Sequence, residues 1–378
     1  MPPAVILAAG ESSRFWPLST HGDKSLHRLC GKAIIEHTVC SLVSAGVTEI
    51  IIAQSPASRV TQFPHRTIED QLGDGTAYGA NISYVEQPLP NGPGPTIQLV
   101  LDLVKDQFFI TNAENINAGD IVSKLWEAKG DAVAAVAAQQ KEETWMFGVC
   151  ALKGDLLSGI VEKPAPGKEP SSLCNMGVYL VGPEYAAIQK AEPEHEHSNI
   201  FALAKLCKEL PVRVVETTAP FFPLKYPWHL FAMADFLKPD KNAPYIGENV
   251  EIAPGAQIDA GSVIENDAVI GDVAVVQNSL IGAGSQVDAP VRDSIFGAAV
   301  VIEHGALIRE KPLQGGHVHV DVKGHVINTN MERLGVVVGQ GSVVETGAEV
   351  LSGVLVGAES RVSAAAPVAK NIPDQSDI

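Results

Sequence analysis

The sequence predicts an α/β protein in two parts: an N-terminal, mainly parallel sheet covered by helices, and a C-terminal left-handed parallel β-helix. Two observations carry this. Short apolar runs alternate with helical stripes from Met1 to about Pro239, and beyond Pro244 an aliphatic residue recurs at every sixth position. A chain of 378 residues exceeds one ordinary domain and suits two, each able to bury its own core.

In the first part, residues 4–8 form an apolar run ending at Gly10. Residues 34–43 then place Ile34, Ile35, Val39, Leu42 and Val43 on one helical stripe closed by Gly46. Strand followed by helix opens a βαβ unit. The segments 50–53, 82–85, 108–111 and 132–137 are further strand-like runs, with a helical pattern over 96–104, as expected of a Rossmann-like, mainly parallel sheet. This domain is assigned to residues 1–239, and the linker 240–244 lies in a tract rich in Pro, Lys and Asp.

From 245 to 374 the period is six. Ile246, Ile252, Ile258, Ile264 and Ile270 form one array, and Val338, Val344, Val350, Val356, Val362 and Val368 a second. Fixed-period self-similarity denotes a repeat architecture. Each flat side of a hexapeptide β-helix gives one aliphatic residue to a narrow triangular core, and Gly247, Gly255, Gly261, Gly271, Gly282 and Gly357 suit its tight corners. The phase slips between Val287 and Ile295 and is lost near 312–332, which predicts an inserted loop carrying His317 and His319 as solvated side chains.

Composition narrows the function. The chain is 46% hydrophobic and 19% charged without a run of about 18 apolar residues, so no membrane span is expected. Met1 to Gly10 has no basic residue before its apolar run and reads as a buried strand, not a signal peptide; a cytoplasmic location is expected. A net charge of −17 opposes binding to nucleic acid and to anionic membranes. Cys30, Cys40, Cys150, Cys174 and Cys207 lack the spacing of a disulfide framework or zinc site and read as reduced.

The chemistry is expected after the first strand. Residues 7–18 read LAAGESSRFWPL, and Lys24 follows. A glycine in a βα turn is weak evidence alone. Two cations just beyond it add weight, because backbone amides of such a loop face an anion, and Arg14 and Lys24 can neutralise charge on a transferring phosphoryl group.

This run, with Arg14, Pro17-Leu18, Lys24 and Gly31-Lys32, resembles the signature loop of the nucleotide-sugar pyrophosphorylases, or sugar-1-phosphate nucleotidyltransferases. The likeness extends over essentially the whole chain. It looks closest to the long archaeal-type glucose-1-phosphate thymidylyltransferases and UTP:N-acetylglucosamine-1-phosphate uridylyltransferases that end in a β-helix. The resemblance implies that Leu7, Ala9 and Gly10 contact the nucleotide. Tyr84 to Gln87 followed by Gly94 resembles the base-reading segment, in which the Gln87 carboxamide can meet the imide edge of uracil or thymine. Gly148, in Phe147-Gly148-Val149, matches the sugar-contacting segment. In GIVEKP, Glu162 would accept sugar hydroxyls and Lys163 would hold the sugar-1-phosphate. Asn175 begins the strand motif that follows.

The reaction so implied is in-line attack of a sugar-1-phosphate oxygen on the α-phosphate of UTP or dTTP, with pyrophosphate leaving. Arg14, Lys24, Lys163 and Mg²⁺ neutralise charge, and no covalent intermediate is needed. The substrate would be glucose-1-phosphate or N-acetylglucosamine-1-phosphate, and the partners those two small molecules plus copies of the chain joined through the β-helix.

Departures from the family pattern fall at the metal and in the loop. Ser12 stands where a second glycine is common and Asp23 where proline is. Asn112-Ala113-Glu114 replaces Asn-Gly-Asp, which leaves Glu114 as the metal ligand. Pro223 takes the place of a second metal-binding aspartate, and His229 that of another aspartate. These favour a rival reading, a catalytically weak paralogue that binds nucleotide sugar as a regulatory or scaffolding subunit. A third activity, acetyl transfer in the β-helix, is not expected: Ala283 replaces the histidine of the matching coil, and His304 lies in a later one.

Overall fold

The computed structural model describes residues 1–56, 66–363 and 366–378. In chain order, β1 (Ala4–Ala8) precedes the short pair β2 (Arg28–Leu29) and β3 (Lys32–Ala33), then α1 (Ile34–Ser44), β4 (Glu49–Gln54) and α2 (Ile68–Leu72). Next come β5 (Asn81–Glu86), α3 (Pro93–Val100), β6 (Phe108–Asn112), α4 (Ala118–Ala128), β7 (Ala134–Gln140), β8 (Gly148–Lys153), β9 (Leu156–Glu162) and β10 (Leu173–Val181). The helices α5 (Pro183–Ala191) and α6 (Ser198–Glu209), strand β11 (Val212–Glu216) and α7 (Leu230–Leu237) precede the repeats. Two compact units result. One comprises Met1–Glu11, 34–56 and Arg66–Phe221; the other comprises Ser12–Ala33, 222–363 and 366–378.

In the first unit the strands form one sheet in the order β5-β4-β1-β6-β10-β7-β11-β9-β8. β1 pairs in parallel with both β4 and β6, and its Ala4, Val5 and Ile6 are fully buried, as a strand covered on both faces requires. β10 runs antiparallel to β6 and β7, so the sheet is mixed beyond its parallel half. The helix α1 buries Ile34, Ile35, Val39 and Leu42 and ends where Gly46 adopts φ 86°, with its N–H on the Val43 carbonyl. The helix expected over 96–104 starts earlier, because Pro93 takes the first-turn position where a missing N–H costs nothing; it stops at Val100.

In the second unit the hexad arrays become three faces of a parallel β-helix. Tyr245–Ile246 begins a six-strand ladder through 263–264, 280–281, 295–296 and 337–338 to Leu355–Val356. A second ladder runs from Glu251–Ile252 to Arg361–Val362, and the third face carries Gln257–Ile258, Val275–Gln277 and Val291–Arg292. Core residues Ile264, Ile270, Val276, Ile302, Val338, Val344, Val350, Val356 and Val362 are sealed, whereas Ile246 and Ile252 of the first coil stay exposed. The phase slip is a shortened coil: Gln257 pairs with Val275, but Val276 already pairs with Val291. The glycines serve close stacking. A Cβ at Gly247 would lie 2.6 Å from the Asn266 backbone nitrogen on the next coil.

The insertion is more ordered than an expected loop. His319–Val322 and His325–Asn328 pair as an antiparallel hairpin, with Lys323 at φ 56° and Gly324 at φ 78° in its turn. Among the described residues no helix is long and apolar enough to cross a membrane.

Ile270 sits at the centre of the narrow core with no exposed surface. Ile270→Ala should cost about 2–5 kcal/mol in the transition that reports the β-helix, read by denaturant unfolding. A loss below about 1 kcal/mol would show that this core collapses around the cavity.

Candidate functional site

The parallel half of the first unit brings several strand ends to one edge. Ala8 pairs with Gln54 and Gln54 with Glu86, while Leu7 pairs with Asn112; β1, β4, β5 and β6 therefore all end together. Ligands of open α/β sheets bind outside such carboxyl ends. Gly10, Gln87 and Glu114 each follow one of these strands. β10 contributes from the opposite direction: Tyr179 pairs with Ile110, so Asn175 and Gly177 lie toward the Asn112 end of β6.

After β1, Ala9 is buried and Gly10 exposed, with Leu7 between these extremes. A Cβ on Gly10 would meet nothing within 4 Å, so no packing inside the chain demands glycine there. Close approach of a ligand to the backbone is a physical reason for one. After β6, Ala113 is buried; its N–H donates to the Leu7 carbonyl and its own carbonyl accepts Thr38 Oγ1 at 2.7 Å. Glu114 follows, half-buried. Among the described residues no group of three His, Cys, Asp or Glu side chains is arranged to hold a metal. A single carboxylate still fits Mg²⁺, which accepts hard oxygen donors and completes its shell with water and phosphate.

Gln87 is 4% exposed and its carboxamide is engaged in the chain. Nε2 donates to Asn91 Oδ1 at 2.6 Å, and Oε1 accepts Thr96 Oγ1 at 2.5 Å. Asn91 in turn donates to the Glu194 carboxylate. Gly94 has a packing role: its N–H donates to the Glu196 carbonyl at 3.0 Å, and a Cβ would fall within 2.9 Å of the Ser198 nitrogen. That N–H is bonded within the chain.

Gly148, Glu162 and Asn175 meet. Gly148 pairs with Glu162 across the β8–β9 hairpin; a Cβ on Gly148 would lie 2.8 Å from Glu162 Oε2 and 3.9 Å from Asn175 Cβ. Asn175 donates through Nδ2 to the Tyr179 hydroxyl at 2.7 Å and accepts the Gly177 N–H at 2.9 Å, in a bulge where Gly177 has φ 70°. Burial pushes the Tyr179 hydroxyl pKa up, so it stays protonated. Lys163 continues from Glu162 with φ 46°, its N–H on the Phe147 carbonyl and its exposed Nζ 3.8 Å from Glu162 Oε1.

Arg14 and Lys24 belong to the second unit. Arg14 is exposed on a one-turn 3₁₀ helix, Ser13–Phe15, and Lys24 opens another, Lys24–Leu26. Lys24 Nζ donates to the Leu224 carbonyl at 3.0 Å, which ties it to the turn that holds Pro223. There the Pro223 carbonyl faces His229 Nδ1 and accepts the Lys225 N–H. Burial lowers the His229 pKa below its ordinary value, against a smaller raising effect of the Pro223 carbonyl.

Sequence reasoning treated Ser12 and Asp23 as separate departures; they are bonded to each other. Ser12 has φ 56° and donates to Asp23 Oδ2 at 2.6 Å, its Oγ accepts the Lys24 N–H at 3.1 Å, and Asp23 Oδ1 accepts the Ser25 N–H. In the β-helix, His304 is exposed beside Asp288 at 3.4 Å.

His27, in the same segment, packs edge-on against Phe15, and desolvation pushes its pKa down to about 4. The unfolded chain binds this proton near 6.5, so stability is full above that pH and is lost as pH falls toward 4. His27→Gln should flatten this part of the stability-pH curve, and ring NMR should find a titration well below 6.5. A midpoint near 6.5 would remove the assignment.

Comparison with known proteins bears on the family and the fold. The nucleotidyl transferase family model matches residues 3–215. A low-salt glycan biosynthesis nucleotidyltransferase of Haloferax volcanii is 30% identical over 50% of this chain and 52% of its own length, so the chain spans about half of that relative. A UTP–glucose-1-phosphate uridylyltransferase of the same organism is 28% identical over 48% of this chain and 72% of its own. A bifunctional protein GlmU of Methanococcus maripaludis is 24% identical over 99% of this chain and 96% of its length. Among solved structures, a UDP-glucose pyrophosphorylase from Acinetobacter baumannii aligns with a TM-score of 0.52 at 19% identity, over 62% of this chain and 92% of that one, which shows a shared fold.

Proposed function

Because the chain belongs to the nucleotidyl transferase family, we propose that it transfers UMP or dTMP from UTP or dTTP to a hexose-1-phosphate, releasing pyrophosphate. Glucose-1-phosphate and N-acetylglucosamine-1-phosphate are the acceptors proposed. The observation that carries this reading is the meeting of Gly148, Glu162 and Asn175 beside Lys163: a carboxylate and a carboxamide suited to sugar hydroxyls next to a cation suited to a phosphate.

The nucleophile is already an anion, so the protein needs to orient it and neutralise charge rather than remove a proton. Lys163 holds the sugar-1-phosphate, Glu162 and Asn175 accept and donate to the sugar, and Arg14 and Lys24 supply positive charge to the triphosphate. Leu7, Ala9 and Gly10 give the nucleotide a backbone surface, and Gln87 faces the base once its carboxamide exchanges Asn91 for the pyrimidine edge. Glu114 would hold Mg²⁺, which when bound neutralises phosphate charge. Assembly through the β-helix and a cytoplasmic location belong to the same reading; acetyl transfer does not.

A second reading, a weakly active regulatory subunit that binds nucleotide sugar, is favoured by Pro223, whose carbonyl is taken up by Lys225 and His229. Pyrophosphate release over a matrix of nucleotides and sugar-1-phosphates with Mg²⁺ separates the two. Turnover with UTP or dTTP is expected; no turnover with any pair gives the lead to the regulatory reading.

Two variants test individual roles. Lys163→Ala should lower kcat while nucleotide affinity holds, and an equal loss of nucleotide affinity would move Lys163 to the triphosphate. Glu114→Ala should raise the Mg²⁺ concentration needed for half-maximal rate or abolish turnover, with Glu114→Asp retaining it; normal turnover by Glu114→Ala would end the metal assignment.

A further inference from the structure

The segment that carries Arg14 is held in place by the β-helix. A helix of three residues has a single closing bond, here the Phe15 N–H on the Ser12 carbonyl at 2.9 Å, and cannot fix its own geometry. External ties must do so. Trp16, two residues after Arg14, donates its indole N–H to the carboxylate of Asp374 near the C-terminus, 3.1 Å from each oxygen. Asp374 is itself anchored, since Oδ1 accepts the Ala358 N–H at 2.7 Å. A second tie comes from the inserted hairpin: Lys323 Nζ donates to Ser13 Oγ at 3.2 Å, and Asn371 fastens the hairpin by donating to the Asp321 carbonyl at 2.8 Å. A third holds the far end of the segment, where the Glu265 carboxylate accepts the Gly31 N–H at 3.2 and 3.1 Å. All three ties lie within one compact unit.

We propose that Asp374 is a positioning residue for nucleotidyl transfer, which acts through Trp16 to set the place of Arg14 at the triphosphate. The proposal rests on the role given to Arg14 above. The Trp16 bond is charge-assisted and therefore stronger than a neutral one. It lies two residues after Arg14, on the side opposite the Ser13–Lys323 tie, so loosening it lets residues 14–16 rotate about the remaining contacts. Small misplacements of a charge that serves the transition state are costly.

The test is a double-mutant cycle in the full chain with Asp374→Ala, Trp16→Phe and the pair, and with Asp374→Asn, which keeps an acceptor oxygen. Each of the first two should lower kcat/KM for the nucleotide about tenfold, the scale of one hydrogen bond to a charged group, while KM for the sugar-1-phosphate stays as in the wild type. The pair should lose no more than either alone, because both variants delete one bond. Asp374→Asn should recover most of the loss. Trp16 emission, taken as the difference from Trp16→Phe, should respond to added UTP or dTTP in the wild type and lose that response in Asp374→Ala.

Losses that add in the pair, or a lowered melting temperature with unchanged kinetics, would overturn the proposal. If the wild type shows no turnover, the activity proposed above fails first, and the emission readout decides alone. A response lost in Asp374→Ala supports the positioning role, and identical responses in the two proteins overturn it.

Discussion

The pairing register of β1 is the constraint on which the first unit's site depends. This strand of five residues is bonded on both sides, to β4 through Ala8↔Gln54 and to β6 through Leu7↔Asn112. A slip of one residue would turn its buried side chains outward and would also move the turns that follow. Because β5 is in turn registered on β4, Gln87 is placed by the same bonds that place Gly10 and Glu114. The antiparallel β10 extends the effect, since its register on β6 puts the Asn175 bulge at the same edge. Cross-pairing of β8 with both β9 and β10 then carries Gly148 and Glu162 to Asn175.

The signature segment obeys a different constraint. It leaves the sheet's unit after Glu11 and rejoins it at Ile34, and between those points its two short 3₁₀ helices depend on the residues of the second unit. Ser12 illustrates how a departure from a family pattern is tolerated. A left-handed backbone costs a non-glycine residue roughly 1–2 kcal/mol. Here the side chain that incurs this cost also donates to Asp23 and accepts the Lys24 N–H, so it offsets the strain with bonds that glycine could not make. Ser12 and Asp23 are one physical change, and their effect on Lys24 is to fix its backbone from both sides.

The β-helix was legible in the sequence because a narrow core admits one aliphatic side chain per side, and a rule that strict survives in a single chain. The parallel half of the sheet was legible for a related reason, as buried strands such as Ile50 to Ala53 read as continuous apolar runs. The hairpin in the insertion left a signal that a phase argument passes over: the alternating stretch His319–Val322 runs into Lys323-Gly324, where the glycine suits a two-residue turn. Candidate site residues could be named one by one from the sequence, yet their arrangement could not be assembled from it. Gly148 meets Glu162 through hairpin register, and Trp16 meets Asp374 across nearly the whole sequence, distances over which composition and spacing carry no information. Gly94 shows the converse, a glycine in a motif position whose space is taken by the turn around Ser198.

The strained backbone at Lys163 ties this geometry to chemistry. In an extended strand, neighbours point to opposite faces, so Glu162 and Lys163 would be separated by the sheet. A left-handed residue at 163 breaks the alternation and brings both charges within 3.8 Å on one side. Such a conformation costs about 1–3 kcal/mol and persists only where its surroundings hold it, here through the N–H bonded to Phe147 beside Gly148. The pair it creates is weak, because Lys163 is mostly exposed and the contact is long. Under the proposed function this weakness suits a substrate phosphate: a lysine locked in a short, buried ion pair would have to break it, whereas this one would turn to a phosphate oxygen while Glu162 turned to a sugar hydroxyl. The same strain therefore keeps a carboxylate and an ammonium adjacent without letting either satisfy the other.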